Sequence, residues 1–327
     1  MNVLITSASR KVWLVRAFQA ALRATGGGEV VAADVVPEAA ALHAADRARL
    51  VPRSDTGDFV PRILELCRGD GINLVVPTRD EELPVFAAAR ETFAAAGVHV
   101  LVNTPDAIDA CQDKRRFAEV CLAAGIPVPR LVTDPGPADL PLFVKPRRGK
   151  GGRGAGVVHT RNELTSALET LGADAIVQEL IDAPEFTIDL FADGTGRTIS
   201  IVPRRRVVVV GGESWVGRTV RDPLLRDLAA QLAGELGLVG HVTIQAFRRA
   251  SEAVAIEVNP RYGGGAALGF AAGAPTPEYA VRLARGERVE ARIDRYDDDL
   301  LMLRFTDDLF LPGSALGLTS PATSAKG

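Results

Sequence analysis

The chain has few of the residues that build disulfide frameworks, thiolate or imidazole metal sites, and nucleophilic catalytic centres. Its 327 residues include three cysteines, Cys67, Cys111 and Cys121, an odd number without a Cys-x-x-Cys pair. The four histidines are scattered through unrelated segments, and none has the spacing of a metal ligand. No Ser-His-Asp or Cys-His set is evident. The sequence therefore predicts reduced thiols and gives no sign of covalent catalysis by a side chain.

Long apolar runs and an excess of either charge are also missing. No apolar run reaches the roughly 18 residues that suggest a membrane span. Met1 leads directly into a strand-like segment, without a basic region, an apolar core and a cleavage site. The net charge of -3 argues against a general nucleic-acid binder. We therefore expect a cytoplasmic protein with neither a membrane nor a nucleic-acid partner.

What is present in the first third of the chain is an alternation of short apolar runs with amphipathic segments. Strands are predicted at residues 3–6, 30–34, 72–76 and 98–102, with helices at 12–22, 59–67 and 81–95. Such alternation indicates a parallel sheet with crossover helices, in which ligands gather at the carboxyl ends of strands. The first turn, Ser7 to Arg10, lacks Gly-x-Gly-x-x-Gly, so we expect no bound dinucleotide.

A glycine-rich loop follows a predicted strand that ends at Lys145. Five glycines fall between Gly149 and Gly156, and the loop also carries Arg148, Lys150 and Arg153. A flexible hairpin turn is one interpretation. A mobile loop with free N–H groups and positive charge that closes over phosphates is the interpretation we favour. The loop is not a P-loop, because no Gly-Lys-Ser/Thr leads into a helix.

A second polar stretch ends a predicted strand near the carboxyl terminus. Alternation places Glu257 and Asn259 on one face and Ile256 and Val258 on the other. Arg261 follows Pro260, where the strand opens into a glycine-rich turn. Gln245 on the preceding strand is expected to face Glu257 across a hairpin. Oxygen ligands beside a fixed cation suit a Mg²⁺-bound polyphosphate, although a strand end with a solvated polar face is the alternative.

Other candidates are expected on the acceptor side of the same site, each with a structural role as the alternative. A run of three arginines, residues 204–206, is predicted as a turn between two strands, and in a cleft it would attract an anionic substrate. The candidate substrate residues are Ser7, Arg10, Asp80, Glu81, Arg204, Arg206, Trp215, Gly263 and Gly264.

These motifs, in this order, resemble the ATP-grasp superfamily, and most closely the single-chain carboxylate–amine ligases similar to the large subunit of carbamoyl-phosphate synthase. The resemblance extends to about Leu311. It implies an α/β and α+β architecture with an N-terminal Rossmann-like (pre-ATP-grasp) domain and a two-subdomain ATP-grasp fold. The implied division is residues 1–112 for the first domain, 113–190 for a small lid subdomain, 191–311 for a large subdomain, and 312–327 for a disordered tail.

The resemblance also implies roles for individual residues. The implied phosphate contacts are Lys114, Lys145 and the loop residues Gly151, Gly152, Arg153 and Gly154. The implied adenine and ribose contacts are Gln178, Glu179, Leu180, Ile181 and Glu185. Gln245, Glu257 and Asn259 would hold Mg²⁺, with Mn²⁺ as a possible substitute. Arg261 and Lys145 would be catalytic, and Arg261 would face the transferred phosphate and the substrate carboxylate. Gln245 differs from the acidic residue that many ligases of the superfamily have there, although glutamine is normal for the carbamoyl-phosphate synthase branch, and it leaves the presence of a second Mg²⁺ open.

The implied activity is an ADP-forming ligation. A small carboxylate, such as an amino acid or peptide-like acid, would be activated by ATP as an acyl phosphate and then attacked by an amine. A kinase or carboxylase that uses the same ATP site, and a non-catalytic nucleotide sensor, are the alternatives. Ligases of this kind are often homodimers, so a homodimer is also implied.

Overall fold

Three β-sheets, which follow one another along the chain, organise the protein. The computed structural model describes residues 1–149 and 151–316. The strands are β1 (Asn2–Ile5), β2 (Val30–Asp34), β3 (Arg47–Leu50), β4 (Ile72–Val76), β5 (His99–Val100), β6 (Leu142–Pro146), β7 (Gly156–Val158), β8 (Ala175–Glu179), β9 (Glu185–Ala192), β10 (Thr198–Val210), β11 (Glu213–Thr219), β12 (Gly240–Arg248), β13 (Ala253–Asn259) and β14 (Leu301–Leu303). The helices are α1 (Val12–Ala24), α2 (Ala40–Ala44), α3 (Phe59–Asp70), α4 (Leu83–Ala88), α5 (Arg90–Ala95), α6 (Pro105–Gln112), α7 (Lys114–Ala123), α8 (Arg161–Leu171), α9 (Pro223–Leu236), α10 (Ala267–Ala271) and α11 (Thr276–Ala284).

The first sheet has the strand order β3-β2-β1-β4-β5, and every neighbouring pair is parallel. Its central strands read as continuous apolar runs because helices cover both faces. The predicted doubly wound N-terminal unit is confirmed. The sequence pattern did not predict β3, because Arg47-Ala-Arg-Leu50 alternates charge along a sheet edge instead of forming an apolar run. The single helix predicted at residues 81–95 is two helices, α4 and α5, which meet at Ala89.

The second sheet is small and antiparallel, with the order β7-β6-β8. The glycine-rich loop connects β6 to β7, and α8 packs on the sheet through Leu164. Lys150, one of the three cations predicted for this loop, lies outside the described residues. The glycine-rich loop therefore belongs to a separate small sheet that has its own apolar core.

The third sheet has the order β13-β12-β9-β10-β11-β14, and its strands are antiparallel. One face packs on α9, where Leu225, Leu228 and Leu232 contact the buried Ile188 and Ile244. The predicted turn at residues 204–206 is wrong, because these arginines lie inside the 13-residue strand β10. The predicted boundary at 190/191 falls inside β9, whereas the sheets themselves divide between β8 and β9; the domain division stays a prediction.

The first and third sheets are joined through one apolar core that includes the helices α1 and α11. Helix α1 lies on α11, and the Phe18 and Tyr262 rings contact edge to face at 5.8 Å. This packing brings the carboxyl ends of β1 and β4 toward the end of β13. In the tail predicted for 312–327, Gly313–Leu316 is a short 3-10 turn, and residues 317–327 lie outside the described part of the chain. No helix among the described residues is both long enough and apolar enough to cross a membrane.

Candidate functional site

One face of the third sheet carries two adjacent rows of mostly polar side chains. The register places Gln245 opposite Glu257 on β13 and opposite Thr187 on β9, which confirms the predicted hairpin pairing. The first row across β10, β9, β12 and β13 is Arg204, Thr187, Gln245 and Glu257; the second is Val202, Asp189, Thr243 and Asn259. Because α9 covers the opposite face, this face is the one available to a ligand.

A β-bulge at Ile256 corrects the simple alternation predicted for β13. The register shifts so that Ala246 pairs with Ala255, which leaves Ile256 without a partner on β12. Ala255 and Val258 therefore enter the apolar core, whereas Ile256 lines a small cleft. The prediction that Ile256 and Val258 share a face is wrong, because one extra residue in a strand reverses the side-chain order. Ile256 is a site residue that alternation could not reveal.

The oxygen-bearing side chains at the end of β13 form a connected set. Asn259 donates through Nδ2 to Glu257 Oε1 at 3.1 Å, and Arg261 donates through Nη2 to Asn259 Oδ1 at 3.3 Å. No group of three or more His, Cys, Asp and Glu side chains that could hold a metal occurs among residues 1–149 and 151–316. A divalent cation here would therefore be held by one carboxylate together with amide oxygens.

Two lysines from the smaller sheet and its neighbouring helix lie across the cleft from this set. Lys145 at the end of β6 is 7% exposed, and burial lowers its pKa to about 8, although the Glu257 carboxylate opposes that shift. Lys114 begins α7 and donates through Nζ to Gly149 O at 2.9 Å. Both lysines line the same cleft as Gln178 and Ile256. The two predicted phosphate cations are thus brought together beside the oxygen ligands.

The glycine loop is exposed and adopts backbone conformations that favour glycine. Gly151, Gly152 and Gly154 have φ of 66°, 68° and 72°, and Arg153 is exposed between them. The loop also approaches the turn between β10 and β11, since a Cβ on Gly212 would lie 3.6 Å from Gly151 Cα. The loop therefore reaches across the site from the small sheet to the third sheet.

The Arg148 side chain is paired with two carboxylates at the base of this loop. Its Nη2 lies 2.8 Å from Asp109 Oδ1 and 3.0 Å from Asp113 Oδ2, and Arg147 also pairs with Asp113 at 2.7 Å. The Arg148 guanidinium is therefore already paired with two carboxylates, and its contact with phosphate stays a prediction. Both arginines are used to attach the base of the loop to the start of α7.

The segment from Gln178 to Glu185 links the small sheet to the third sheet. Gln178 and Ile181 are buried, and Leu180 is half-buried between them. The Glu179 carboxylate accepts from Arg130 N at 3.1 Å and pairs with Arg249 at 3.4 Å. This carboxylate is therefore engaged by protein groups, whereas Gln178 lines the cleft that contains Lys145.

Two arginines of β10 point to the site face but have different environments. Arg204 forms a buried ion pair with Asp189, whose pKa is held far below its usual range by Arg204 and His241 despite the opposing effect of burial. Its assignment as a substrate contact is not supported by this pairing, since both charges are already neutralised beneath the glycine-rich turn. Arg206 instead contacts Glu185, and donates to Gln245 Oε1 at 3.4 Å and to Gly212 O at 2.8 Å.

The candidate residues of the first domain differ in what their side chains contact. Asp80 forms a bidentate ion pair with Arg261, so it lies at the site. Ser7 donates through Oγ to Glu82 Oε2 at 2.9 Å, and Glu81 pairs with Arg79 at 3.3 Å. Arg10 is exposed to solvent. Asp80 therefore contacts the turn after β13 directly, and the Glu81 carboxylate also acts on the Arg261 guanidinium through its charge.

Lys11 and Glu82 are residues near the site that sequence reasoning missed. Lys11 donates through Nζ to Ser7 O at 3.1 Å, and burial lowers its pKa to about 8 while the nearby Glu82 opposes that shift and Arg261 adds to it. Glu82 accepts from Thr78 N at 2.6 Å, and burial raises its pKa. The sequence does contain an indication of both residues. Lys11 directly follows the candidate Arg10, and Glu82 directly follows the candidate Glu81, each at a strand-to-helix connection.

The remaining candidates surround the glycine-rich turn after Arg261. Gly263 N donates to Thr243 Oγ1 at 3.1 Å, and a Cβ at Gly263 would lie 2.6 Å from that oxygen. Arg304 donates to Gly264 O, pairs with Glu213 and donates from its backbone N to Trp215 O at 2.8 Å. Arg304 therefore links the backbone of Trp215 on β11 to the glycine-rich turn at Gly264.

Two family models match the chain. Residues 3–101 match one described as "PylC-like, N-terminal domain", and residues 172–303 match one described as "ATP-grasp in the biosynthetic pathway with Ter operon". The carbamoyl phosphate synthase large chain of Gemmatimonas aurantiaca is 31% identical over 220 residues, which are 59% of this chain and 20% of that protein. The chain thus spans about a fifth of the length of this relative.

Two solved structures are similar to this one. The biotin carboxylase of Campylobacter jejuni has a TM-score of 0.72 at 17% identity, over 89% of this chain and 72% of that chain. The biotin carboxylase domain dimer of the Hydrogenobacter thermophilus 2-oxoglutarate carboxylase, described with MgADP and bicarbonate, has a TM-score of 0.71 at 20% identity, over 92% and 73%. At these identities the likeness establishes the fold alone.

Proposed function

We propose, from the premise that this chain belongs to the ATP-grasp superfamily, that it is an ADP-forming ligase for a small carboxylate and an amine. The carboxylate is an amino acid or a peptide-like acid. The observation that carries the proposal is the connection of Glu257, Asn259 and Arg261 by hydrogen bonds, with the buried Lys145 ammonium under the electrostatic influence of Glu257. The relatives support the reaction class, and these contacts support the choice of residues.

The residues fit a magnesium nucleotide. Mg²⁺ is usually held by one or two carboxylates together with phosphates and waters, and the set at the end of β13 offers one carboxylate with amide oxygens. The lowered pKa of Lys145 indicates a buried cation that burial disfavours, so an added phosphate would stabilise its charged form. When bound, ATP supplies the phosphoryl group that activates the carboxylate for attack by the amine.

The protein's own groups have three tasks in this proposal. Lys145 and Lys114 hold negative charge on the side of the small sheet. Arg261 orients the acid at the junction with the first domain, where Asp80 fixes the guanidinium. The glycine loop covers the cleft and excludes water that would hydrolyse an activated acid. Positioning and electrostatics of this kind need no side-chain nucleophile.

A cytoplasmic location and a homodimer belong to the same proposal. The three cysteines are buried free thiols, which suit a reducing compartment. The dimer is supported by the assembly described for the Hydrogenobacter thermophilus domain. Cell fractionation tests the location, and sedimentation of the purified protein tests the dimer.

ADP release is the test of the activity. Mg-ATP is offered with amino acids and small peptides, singly and in pairs, to the wild-type protein, to Glu257→Ala and to Glu235→Ala. Glu235 is exposed on α9, which covers the opposite face of the third sheet, so it is the control. The proposal predicts ADP release that needs an acid together with an amine, persists in Glu235→Ala and is lost in Glu257→Ala. Release with a single hydroxyl compound would indicate a kinase, and equal activity in both variants would contradict the site.

A further inference from the structure

A second cavity lies where the first domain meets the third sheet, away from the cleft that contains Lys145. It has a volume of about 260 Å³, and its walls come from α5, β5, the turn between β9 and β10, the start of β12, and α11. The described residues that line it all differ from those that line the cleft. Strand β9 begins at Glu185, on the side of the candidate nucleotide site, and ends at Ala192 on the cavity wall, roughly 20 Å away. The cavity is therefore at the opposite end of the third sheet.

The walls of this cavity are mainly apolar. Phe191, Ala192, Val100 and Ala280 line it from three different elements, and each is at most 3% exposed. A dry cavity of about 150 Å³ with aliphatic and aromatic walls accommodates a benzene molecule. The volume here is therefore sufficient for a branched aliphatic group or a single aromatic ring, and burial of such a group against these walls is favourable.

Two basic side chains, Arg90 on α5 and His99 on β5, line the same cavity. No carboxylate in the described part of the chain forms an ion pair with Arg90. Burial of part of the His99 ring lowers its pKa, and the positive charge of Arg90 lowers it further. Asp193 also lines the cavity, but its carboxylate accepts from Arg197 Nε at 2.9 Å and from Thr195 Oγ1 at 2.6 Å. The local balance of charge therefore favours an anion beside Arg90 and His99.

We propose that this cavity is a second ligand site, which binds a small carboxylic acid with a branched aliphatic or aromatic group. The hydrocarbon group lies against Phe191 and Ala280, and the carboxylate faces Arg90 and His99. A planar guanidinium binds a carboxylate through two parallel hydrogen bonds. Apolar walls with a few polar groups, at the junction of two domains, are typical of small-molecule pockets. This inference goes beyond the proposed function, because the cavity shares no lining residue with the nucleotide cleft.

Nuclear magnetic resonance of the histidine rings tests the site in the wild-type full chain. The probe acids are phenylacetate and isovalerate, their neutral amides are the matched compounds, and His99→Gln assigns the His99 signal. Each acid should shift that signal and raise the pKa of His99, because a nearby carboxylate favours the protonated ring. The amides should bind at least about tenfold more weakly. Absence of a His99 shift with both acids at millimolar concentrations, or equal affinities for acids and amides, would overturn the inference.

Variants of two arginines test the charge at the cavity. Arg68 on α3 is exposed and lies outside the cavity, so Arg68→Gln is the matched control for Arg90→Gln. Phenylacetate should bind about tenfold more weakly to Arg90→Gln and with unchanged affinity to Arg68→Gln. Arg90→Lys should recover part of the loss, because it restores the charge without the planar fork. Equal affinities of the two glutamine variants would contradict the inference, and circular dichroism confirms that each variant is folded.

Mg-ADP binding to the same proteins separates this inference from the proposed function. Isothermal titration should give the same affinity for Mg-ADP in the wild type, Arg90→Gln and Arg68→Gln. Phenylacetate binding without any binding of Mg-ADP would contradict the proposed function and leave the second site intact. Mg-ADP binding without any binding of the two acids would have the opposite meaning.

Discussion

Arg261 donates to both carboxylate oxygens of Asp80, through Nε at 2.6 Å and through Nη2 at 2.7 Å. The two residues are separated by 181 positions in the chain and belong to different sheets. The ion pair joins the carboxyl edge of the first sheet to the end of β13, where the proposed metal ligands lie. The first domain is therefore a direct part of the site, because it fixes the orientation of the arginine proposed to meet the acid substrate.

Asp80→Ala should lower the free energy of unfolding by about 2–4 kcal/mol. The substitution leaves the Arg261 guanidinium without its partner in a largely buried position, and an uncompensated charge of this kind is costly. Urea denaturation measures the change. Asp55→Ala is the control, since its pair with Arg53 is on the surface and its loss should have little effect. Similar urea midpoints for the two variants would show that the junction does not depend on this pair.

Asp113→Asn should destabilise the protein by about 1–2 kcal/mol at neutral pH. Arg147 holds the pKa of this carboxyl at about 2, below its ordinary value of 3.8, so its ion pairs stabilise the fold above pH 3.8 and are lost as the pH falls toward 2. Asparagine can still cap the N-terminus of α7, so the variant removes the charge of Asp113 but keeps the helix cap. Urea midpoints of the variant and the wild type should converge between about pH 4 and pH 2. Asp106→Asn, at a side chain that is 95% exposed, should show no such dependence.

Gly263→Ala should lower stability by about 1–3 kcal/mol, because its Cβ would lie 2.6 Å from Thr243 Oγ1 in a buried region. Gly264→Ala is the matched control: its Cβ would lie 3.7 Å from the nearest atom, which is ordinary contact. Thermal unfolding of the two variants measures the difference. A Gly263→Ala protein as stable as the Gly264→Ala protein would show that the turn can shift away from β12.

Arg204→Met should cost about 3–5 kcal/mol, because it leaves the Asp189 carboxylate buried without its cation. The double variant Asp189→Leu with Arg204→Met removes both charges and should recover much of that loss. Urea denaturation of the two single variants and the double variant forms a double-mutant cycle. A small effect of Arg204→Met on unfolding, combined with a large effect on ADP release, would restore Arg204 as a substrate contact.

Lys145→Met should reduce ADP release at least about a hundredfold, since a buried cation aimed at developing negative charge is lost. The free energy of unfolding should stay the same or rise, because burial already disfavours the charged lysine in the free protein. Steady-state kinetics and urea denaturation are measured on the same preparation. A variant that loses activity only in proportion to a loss of folded protein would argue against a role in the reaction.

Much of the fold follows from patterns that operate over a few residues. The continuous apolar runs of β1, β2 and β4 predicted a parallel sheet, since strands covered on both faces have no polar side. The same reasoning misplaced the arginines at 204–206, because a charged run looks like a turn when only its composition is considered. In β10 these side chains alternate between the site face and solvent. The pairing of β10 with its neighbouring strands determines which side chain lies on which face.

Some features of the candidate site follow from the local sequence, and others depend on residues that are distant in the chain. Pairing of Gln245 with Glu257 was predictable because a short hairpin fixes its own register. The bulge at Ile256, the neutralisation of Arg204 by Asp189 and the capture of Arg148 by Asp109 and Asp113 were not predictable. Each depends on a partner from another element, and no local pattern specifies that partner.

The sequence by itself determined the resemblance of the chain to the ATP-grasp superfamily, its doubly wound first unit and the candidate residues for a magnesium nucleotide, because these depend on short motifs and their order. Tertiary structure alone decided which charges remain available. Arg204 and Arg148 form ion pairs with carboxylates of the protein. Arg206 contacts Glu185 and Gln245. Asp80 reaches Arg261 from the first domain. The physical reason is that a charge acts through what lies within a few ångströms of it, and those neighbours are distant in the chain.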